Sequence, residues 1–211
     1  KKKKTMKELN MNPKFYNARE LRNKISSAKN ELIDTTHFSK IEFDHQIVNL
    51  YKKYCEKLKN GNSVDFDDLL VLPIKLFKTS DSILNSYQER YKYILIDEYQ
   101  DTNEAQYIFS KMLAKKYKNI FVVGDNDQAI YAFRGANFKN ILNFEKDYPD
   151  CKTILLEENY RSTQNILNAA NSVIRHNKLR KDKNLWSNND IGSKIKYVKT
   201  DDEKAEGEYI A

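Results

Sequence analysis

The chain has 211 residues, 40% of them hydrophobic, with 37 Lys and Arg against 30 Asp and Glu, a net charge of +7 and a pI near 9.1. That is enough apolar content for one large or two modest folded domains, which excludes a disordered polymer. No apolar run approaches the roughly 20 residues that span a bilayer, the lysine-rich start has no signal-peptide core behind it, and Cys55 and Cys151 stand alone, so no membrane and a reducing, cytoplasmic setting are expected.

The first stretch is basic and helical. Residues 1 to 64 hold 15 basic against 7 acidic side chains, 65 to 152 hold 12 against 14, and 153 to 211 hold 10 against 9, so the excess lies in the first segment. Basicity of this kind suits a polyanionic partner, and a lysine-rich composition bias would also produce it. Asn12 is expected to cap a helix with Pro13 at its first position. A second helix is expected with Phe38, Ile41, Val48, Tyr51, Cys55 and Leu58 on one stripe, stopped by "KNGNS" around Gly61.

The rhythm changes near Asp65. "DFDDLLVLPIKLF" reads as a helix disturbed at Pro73, and residues 93 to 96 read as a short buried strand. Ala105, Ile108, Phe109, Met112 and Leu113 recur at helical spacing, with Thr102 as the expected cap. "NIFVVGD" supplies a second buried strand, residues 137 to 147 another helix, and "TILLEENYRS" a third strand. Alternation of this kind predicts an α/β fold on a parallel sheet. Ser162 is expected to cap a further helix whose apolar face is Ile166, Ala169, Ala170, Val173 and Ile174. A strand at "KIKYV" and the opening of one more helix at "DDEKAEGEYIA" follow.

Ligands of open parallel sheets sit beyond the carboxyl ends of the strands, and the run "YILIDE" places Asp97 and Glu98 there. A carboxylate at that point can hold Mg²⁺, and its neighbour can orient or deprotonate an attacking water, the Walker B arrangement of phosphoryl transfer. The plainer alternative is a polar turn that opens the next helix.

"DEYQDT" at 97 to 102, "VGDNDQAIYAFRGA" at 123 to 136 and "LEENYRST" at 156 to 163 occur in this order. Together they resemble motifs II, III and IV of the UvrD/PcrA/Rep-like superfamily 1A DNA helicases. "ISSAKNELID" at 25 to 34, "VDFDDLL" at 64 to 70 and "FEKDYPDCKTILLEENYRST" at 144 to 163 carry the likeness over essentially the whole chain. The resemblance implies an incomplete RecA-like P-loop NTPase core with a helical accessory subdomain. Residues 1–64 would be part of accessory domain 1B, 65–152 the returning part of core domain 1A, and 153–211 the start of core domain 2A.

The resemblance further implies an ATP-dependent enzyme that moves three-prime to five-prime on single-stranded DNA and at single-strand/duplex junctions, in repair or replication and alongside proteins of those pathways. Asp97 would be the Mg²⁺-associated acid, Glu98 the catalytic base, and Gln128 the γ-phosphate sensor. Arg161 would stabilise the transferred phosphoryl group and Tyr160 would stack on adenine. Tyr131, Phe133 and Arg134 would contact single-stranded DNA by stacking and charge, with Phe133 where many members carry Trp. None of Gly61, Gly124, Gly135, Gly192 and Gly207 belongs to a G-x-x-x-x-G-K-[ST] loop. Motifs V and VI would lie beyond position 211, so the 211 residues are expected to be a fragment, inactive by themselves. A helicase-nuclease subunit of the RecB or AddA type, or a non-catalytic DNA-binding module, are the alternative readings.

Overall fold

The computed structural model describes residues 2–178 and 182–211, apart from the side chains of Lys2 and Arg134. It divides into two compact units, residues 1–149 and 150–211.

Unit 1 opens with four helices: α1 (Lys2–Glu8), α2 (Ala18–Asn30), α3 (Thr35–Ile41) and α4 (His45–Asn60). Their inner faces share one core that includes Met6, Leu21, Ile25, Phe38, Val48, Leu50, Tyr51 and Leu58. Two boundaries differ from expectation. Asn12 and Pro13 form a single turn, while α2 starts at Ala18 because the Asn17 side chain accepts from the amides of Arg19 and Glu20. The stripe from Phe38 to Leu58 runs over two helices. Asp44 interrupts it, capping α4 through the Gln46 amide and accepting from the Tyr16 hydroxyl at 2.9 Å. The expected stop holds, with Gly61 at the end of α4.

A second layer consists of α5 (Asp68–Thr79), α6 (Asp81–Arg90) and α7 (Glu104–Ala114), which pack on one another and on strand β1 (Ile94–Ile96). Helix α5 continues through Pro73. Phe77 lies buried against the Phe109 ring, 5.8 Å between centroids. A polar knot ties this layer to the first. Lys29, 4% exposed, reaches Asp65 at 2.8 Å and Asp68 at 2.7 Å, and the Tyr54 hydroxyl donates to the same Asp65 oxygen as Lys29. Burial alone would raise the Asp65 carboxyl, but the hydrogen bonds from Lys29 and Tyr54 outweigh it and hold it below the usual range. One helical turn away, Ser26 donates to Asp67, and Asn30 accepts from Asn103 at the start of α7.

Strand β2 (Ile120–Val122) pairs in parallel with β1, Ile94 opposite Ile120 and Ile96 opposite Val122. The strands were expected to be buried on both faces, yet Leu95 is 73% and Phe121 60% exposed. Two strands covered by helices on one side leave the other pleat open. Helix α8 (Lys139–Asp147) completes the unit, its Asp147 accepting from Lys111 and Tyr107 of α7.

Unit 2 holds α9 (Gln164–Ile174) and α10 (Glu203–Ile210), the latter where a closing helix was expected. Neither "TILLEENYRS" nor "KIKYV" forms a strand; among the described residues the one pairing in this unit is a parallel bridge between Glu158 and Trp186. A strand exists only with a hydrogen-bonded neighbour, and among the described residues neither apolar segment has a partner strand. Helix α9 is turned from the expected face. Its buried residues are Leu167 and Asn171, while the expected inner positions Ile166 and Val173 are 49% and 70% exposed. Ser162 does not cap it, because the carbonyls of Asp190 and Ile191 take the amides of Gln164 and Asn165. No helix among the described residues is long and apolar enough to cross a membrane.

Candidate functional site

The two strands end level, and the backbone then closes a small frame around the acid pair. The Val123 amide donates to the Ile96 carbonyl and the Val123 carbonyl accepts from the Tyr99 amide, both at 2.9 Å. Asp97 and Glu98 are therefore looped out between two bonds to one residue of β2's extension. Glu98 pays for the short loop with a left-handed backbone, φ 51° and ψ 44°, a conformation that costs a non-glycine residue about 1 kcal/mol or more. Its amide donates to Asp97 Oδ1 at 2.9 Å. Both acids are exposed at the carboxyl end of the sheet.

Behind them the chain turns inward. Residues 99–101 form a short 3₁₀ turn in which Tyr99 and Gln100 are each 1% exposed. Tyr99 packs edge-on against Phe144, and burial pushes its hydroxyl up to about 12. The Gln100 amide has two partners. Its Nε2 donates to Glu98 Oε2 at 2.8 Å, and its Oε1 accepts from the Asp125 amide at 2.9 Å. Residue 124 must be glycine for this approach, since a Cβ there would stand 2.6 Å from Gln100 Oε1. Thr102 is not the cap of α7: its hydroxyl donates to the Tyr99 carbonyl, and its own carbonyl accepts from Asn137 and Asn140. Asn103 caps instead, in a reciprocal box with Gln106.

Asp125 continues the chain of contacts, accepting from Gln128 Nε2 at 2.9 Å. The loop beyond carries Tyr131 and Phe133, whose ring centroids lie 6.0 Å apart at 44° and of which Phe133 is 78% exposed. Gly135, at φ 85°, ends the 3₁₀ turn 132–134 in the left-handed region that suits glycine. The side chain of Arg134 lies outside the described residues.

Unit 2 presents Tyr160 and Arg161 on a loop held by Asn159, whose Oδ1 accepts from the amides of Arg161 and Ser162. Tyr160 is 80% exposed, its hydroxyl donating to Glu158, which raises its pKa. Arg161 is exposed and forms no ion pair with a described residue.

The structure thus links Asp97, Glu98 and Gln128 through Gln100 and Asp125, sets the rings of Tyr131 and Phe133 side by side on the loop beyond, and holds Tyr160 next to Arg161 on one loop of unit 2. Gln100 and Gly124 were not singled out beforehand; the only signal was their place inside "DEYQDT" and "VGDND". No cluster of three metal-binding side chains occurs among the described residues. The exposed carboxylates of Asp97 and Glu98 are of the kind that could hold an ion such as Mg²⁺, which takes one or two carboxylates and leaves its other positions to water and phosphate oxygens.

Residues 1–149 match the UvrD/REP helicase N-terminal domain and residues 154–211 the UvrD-like helicase C-terminal domain. The chain is 50% identical over 209 residues to the ATP-dependent DNA helicase PcrA of Bacillus subtilis, covering 98% of this chain and 28% of that protein. The PcrA helicases of Leuconostoc citreum and Staphylococcus epidermidis are 46% and 49% identical over 99% and 97% of the chain. The chain spans about 28% of the length of these relatives.

Proposed function

The chain belongs to the UvrD/REP helicase family, and from that premise we propose that the whole protein is an ATP-dependent DNA helicase that couples ATP hydrolysis to movement on single-stranded DNA, in repair or replication. The observation that carries this is the frame at the strand ends, where Asp97 and Glu98 are held out together and tied through Gln100 and Asp125 to Gln128.

In this reading Asp97 holds Mg²⁺, which when bound supplies the positive charge that neutralises phosphate oxygens. Glu98 takes a proton from the attacking water, and its left-handed backbone sets the point from which its side chain leaves the strand end. Gln128 uses its amide, both donor and acceptor, to sense the terminal phosphate. Arg161 offers a planar fork to the transferring phosphoryl group, and the exposed Tyr160 ring stacks on the adenine. Tyr131 and Phe133 stack on bases, which is indifferent to sequence, and Arg134 adds charge toward phosphate.

We assign residues 1–64 to the accessory domain that faces duplex DNA at a junction, in keeping with their 15 basic against 7 acidic side chains. Residues 65–152 belong to the first motor core and 153–211 to the second. The test is phosphate release from ATP by the full-length protein with and without a single-stranded oligonucleotide. Turnover stimulated several-fold by DNA is expected, and turnover indifferent to DNA would contradict the proposal.

A further inference from the structure

We infer that Gln100 is a positioning residue for the hydrolytic step: one buried amide aims the Glu98 carboxylate and ties it to the corner from which the Gln128–Phe133 loop departs. The inference rests on the reading of Glu98 as the base.

Glu98 is exposed, and a solvated carboxylate on a freely rotating side chain has no fixed aim. Among the described residues, the one side chain that bonds it is Gln100, through Nε2 to Oε2 at 2.8 Å. Gln100 cannot drift with it, because at 1% exposure it is packed on all sides and its other amide atom accepts from the Asp125 amide. The geometry reads like a strut of fixed length. At one end is the proton acceptor; at the other is Asp125, whose side chain accepts from Gln128 and whose carbonyl accepts from the Gln128 amide. A shift of the loop on which Tyr131 and Phe133 sit would therefore move the Asp125 amide, and with it the amide that aims Glu98.

The orientation of the amide decides the chemistry. Of the two amide atoms, only the nitrogen can donate to a carboxylate and only the oxygen can accept from a backbone N–H, so Gln at this position meets both demands. Leu would meet neither. Glu would keep the oxygen for Asp125 while setting a second carboxylate at hydrogen-bond distance from Glu98, and two such groups share a proton rather than both ionise.

Two variants of the full-length protein test this, with ATP turnover measured on saturating single-stranded DNA and folding checked by thermal melting. Gln100→Leu is expected to lower kcat by about 10- to 100-fold, the scale of a small misplacement of a reacting group, with KM for ATP within about twofold. Gln100→Glu keeps an oxygen for the bond to Asp125 but removes the donor that faces Glu98, so a merely structural Gln100 would leave kcat and KM for ATP like those of the wild type. Our account instead expects kcat lowered with KM for ATP within about twofold. A wild-type kcat in Gln100→Glu overturns the inference, whatever the Leu variant does. Full turnover in Glu98→Gln would instead remove the premise, which keeps the two failures apart.

Discussion

Gly124→Ala probes the packing that holds the acid pair. An added Cβ would stand 2.6 Å from Gln100 Oε1, 2.9 Å from Ile141 Cδ1 and 3.1 Å from the Tyr99 amide nitrogen. The Ile141 methyl is the end of a flexible side chain and can give way; the Tyr99 nitrogen belongs to backbone bonded to Val123 and cannot. Relief must come from Gln100, which then loses its bond to the Asp125 amide. Overpacking costs about 1 to 3 kcal/mol, and a stranded backbone N–H costs about 1 to 3 kcal/mol. Since one motion relieves the first by incurring the second, the two do not add and we expect a total of about 1 to 3 kcal/mol. Urea unfolding followed by far-ultraviolet circular dichroism measures it, the midpoint shift converted through the wild-type slope. Gly207→Ala is the control: nothing lies within 4 Å of its Cβ in the interior of α10, and a gain of about 0.5 to 1 kcal/mol is expected there. If Gly124→Ala unfolded at the wild-type midpoint, the corner would be slack and the strut between Glu98 and Asp125 would lose its physical basis.

Lys29→Met should cost about 3 to 5 kcal/mol, the scale for removing one partner of a buried ion pair, read by the same unfolding experiment. The Asp65 carboxyl is held low by Lys29 and Tyr54 against the opposing effect of burial. Its stabilising contribution is therefore complete above the ordinary carboxylate range near 4 and is lost as pH falls through its lower folded value; unfolding midpoints of the wild type across that acid range should show the loss, and Lys29→Met should blunt it. In the full-length protein Phe133→Ala should weaken single-strand binding by about 1 to 3 kcal/mol in a fluorescence anisotropy titration, leaving ATP affinity unchanged. Equal losses in both would indicate a folding defect. The 211-residue chain alone, without a phosphate-cradling G-x-x-x-x-G-K-[ST] loop, should release no phosphate from ATP above a protein-free blank.

Local pattern carried much of the fold. The runs at 94–96 and 120–122 became the paired strands, and the apolar spacing from Ala105 to Leu113 became α7. Boundaries failed where a polar side chain had competing partners. Thr102 and Asn103 are equally plausible caps by residue type, and the choice fell to Asn103 because Gln106 stands three residues on and closes the box. The break at Asp44 is invisible to periodicity because the stripe keeps its phase across it. The strands expected at 153–162 and 194–198 failed for another reason: a strand is a property of a pair, and an apolar segment does not encode whether its neighbour is present. At the site, the placement of the acids at a strand end was legible from the apolar run before them, whereas the bond from the Asp125 amide to Gln100 joins residues 25 positions apart, which a place inside "DEYQDT" does not reveal.

Turnover by the Glu98→Gln variant of the full-length protein, measured on single-stranded DNA beside its ATP affinity, bears most directly on the motor reading. A neutral amide in place of the base should leave nucleotide binding intact and cut hydrolysis by at least about 100-fold. Hydrolysis at the wild-type rate would take the proton-accepting role away from the acid pair at the strand ends, and the proposed motor with it.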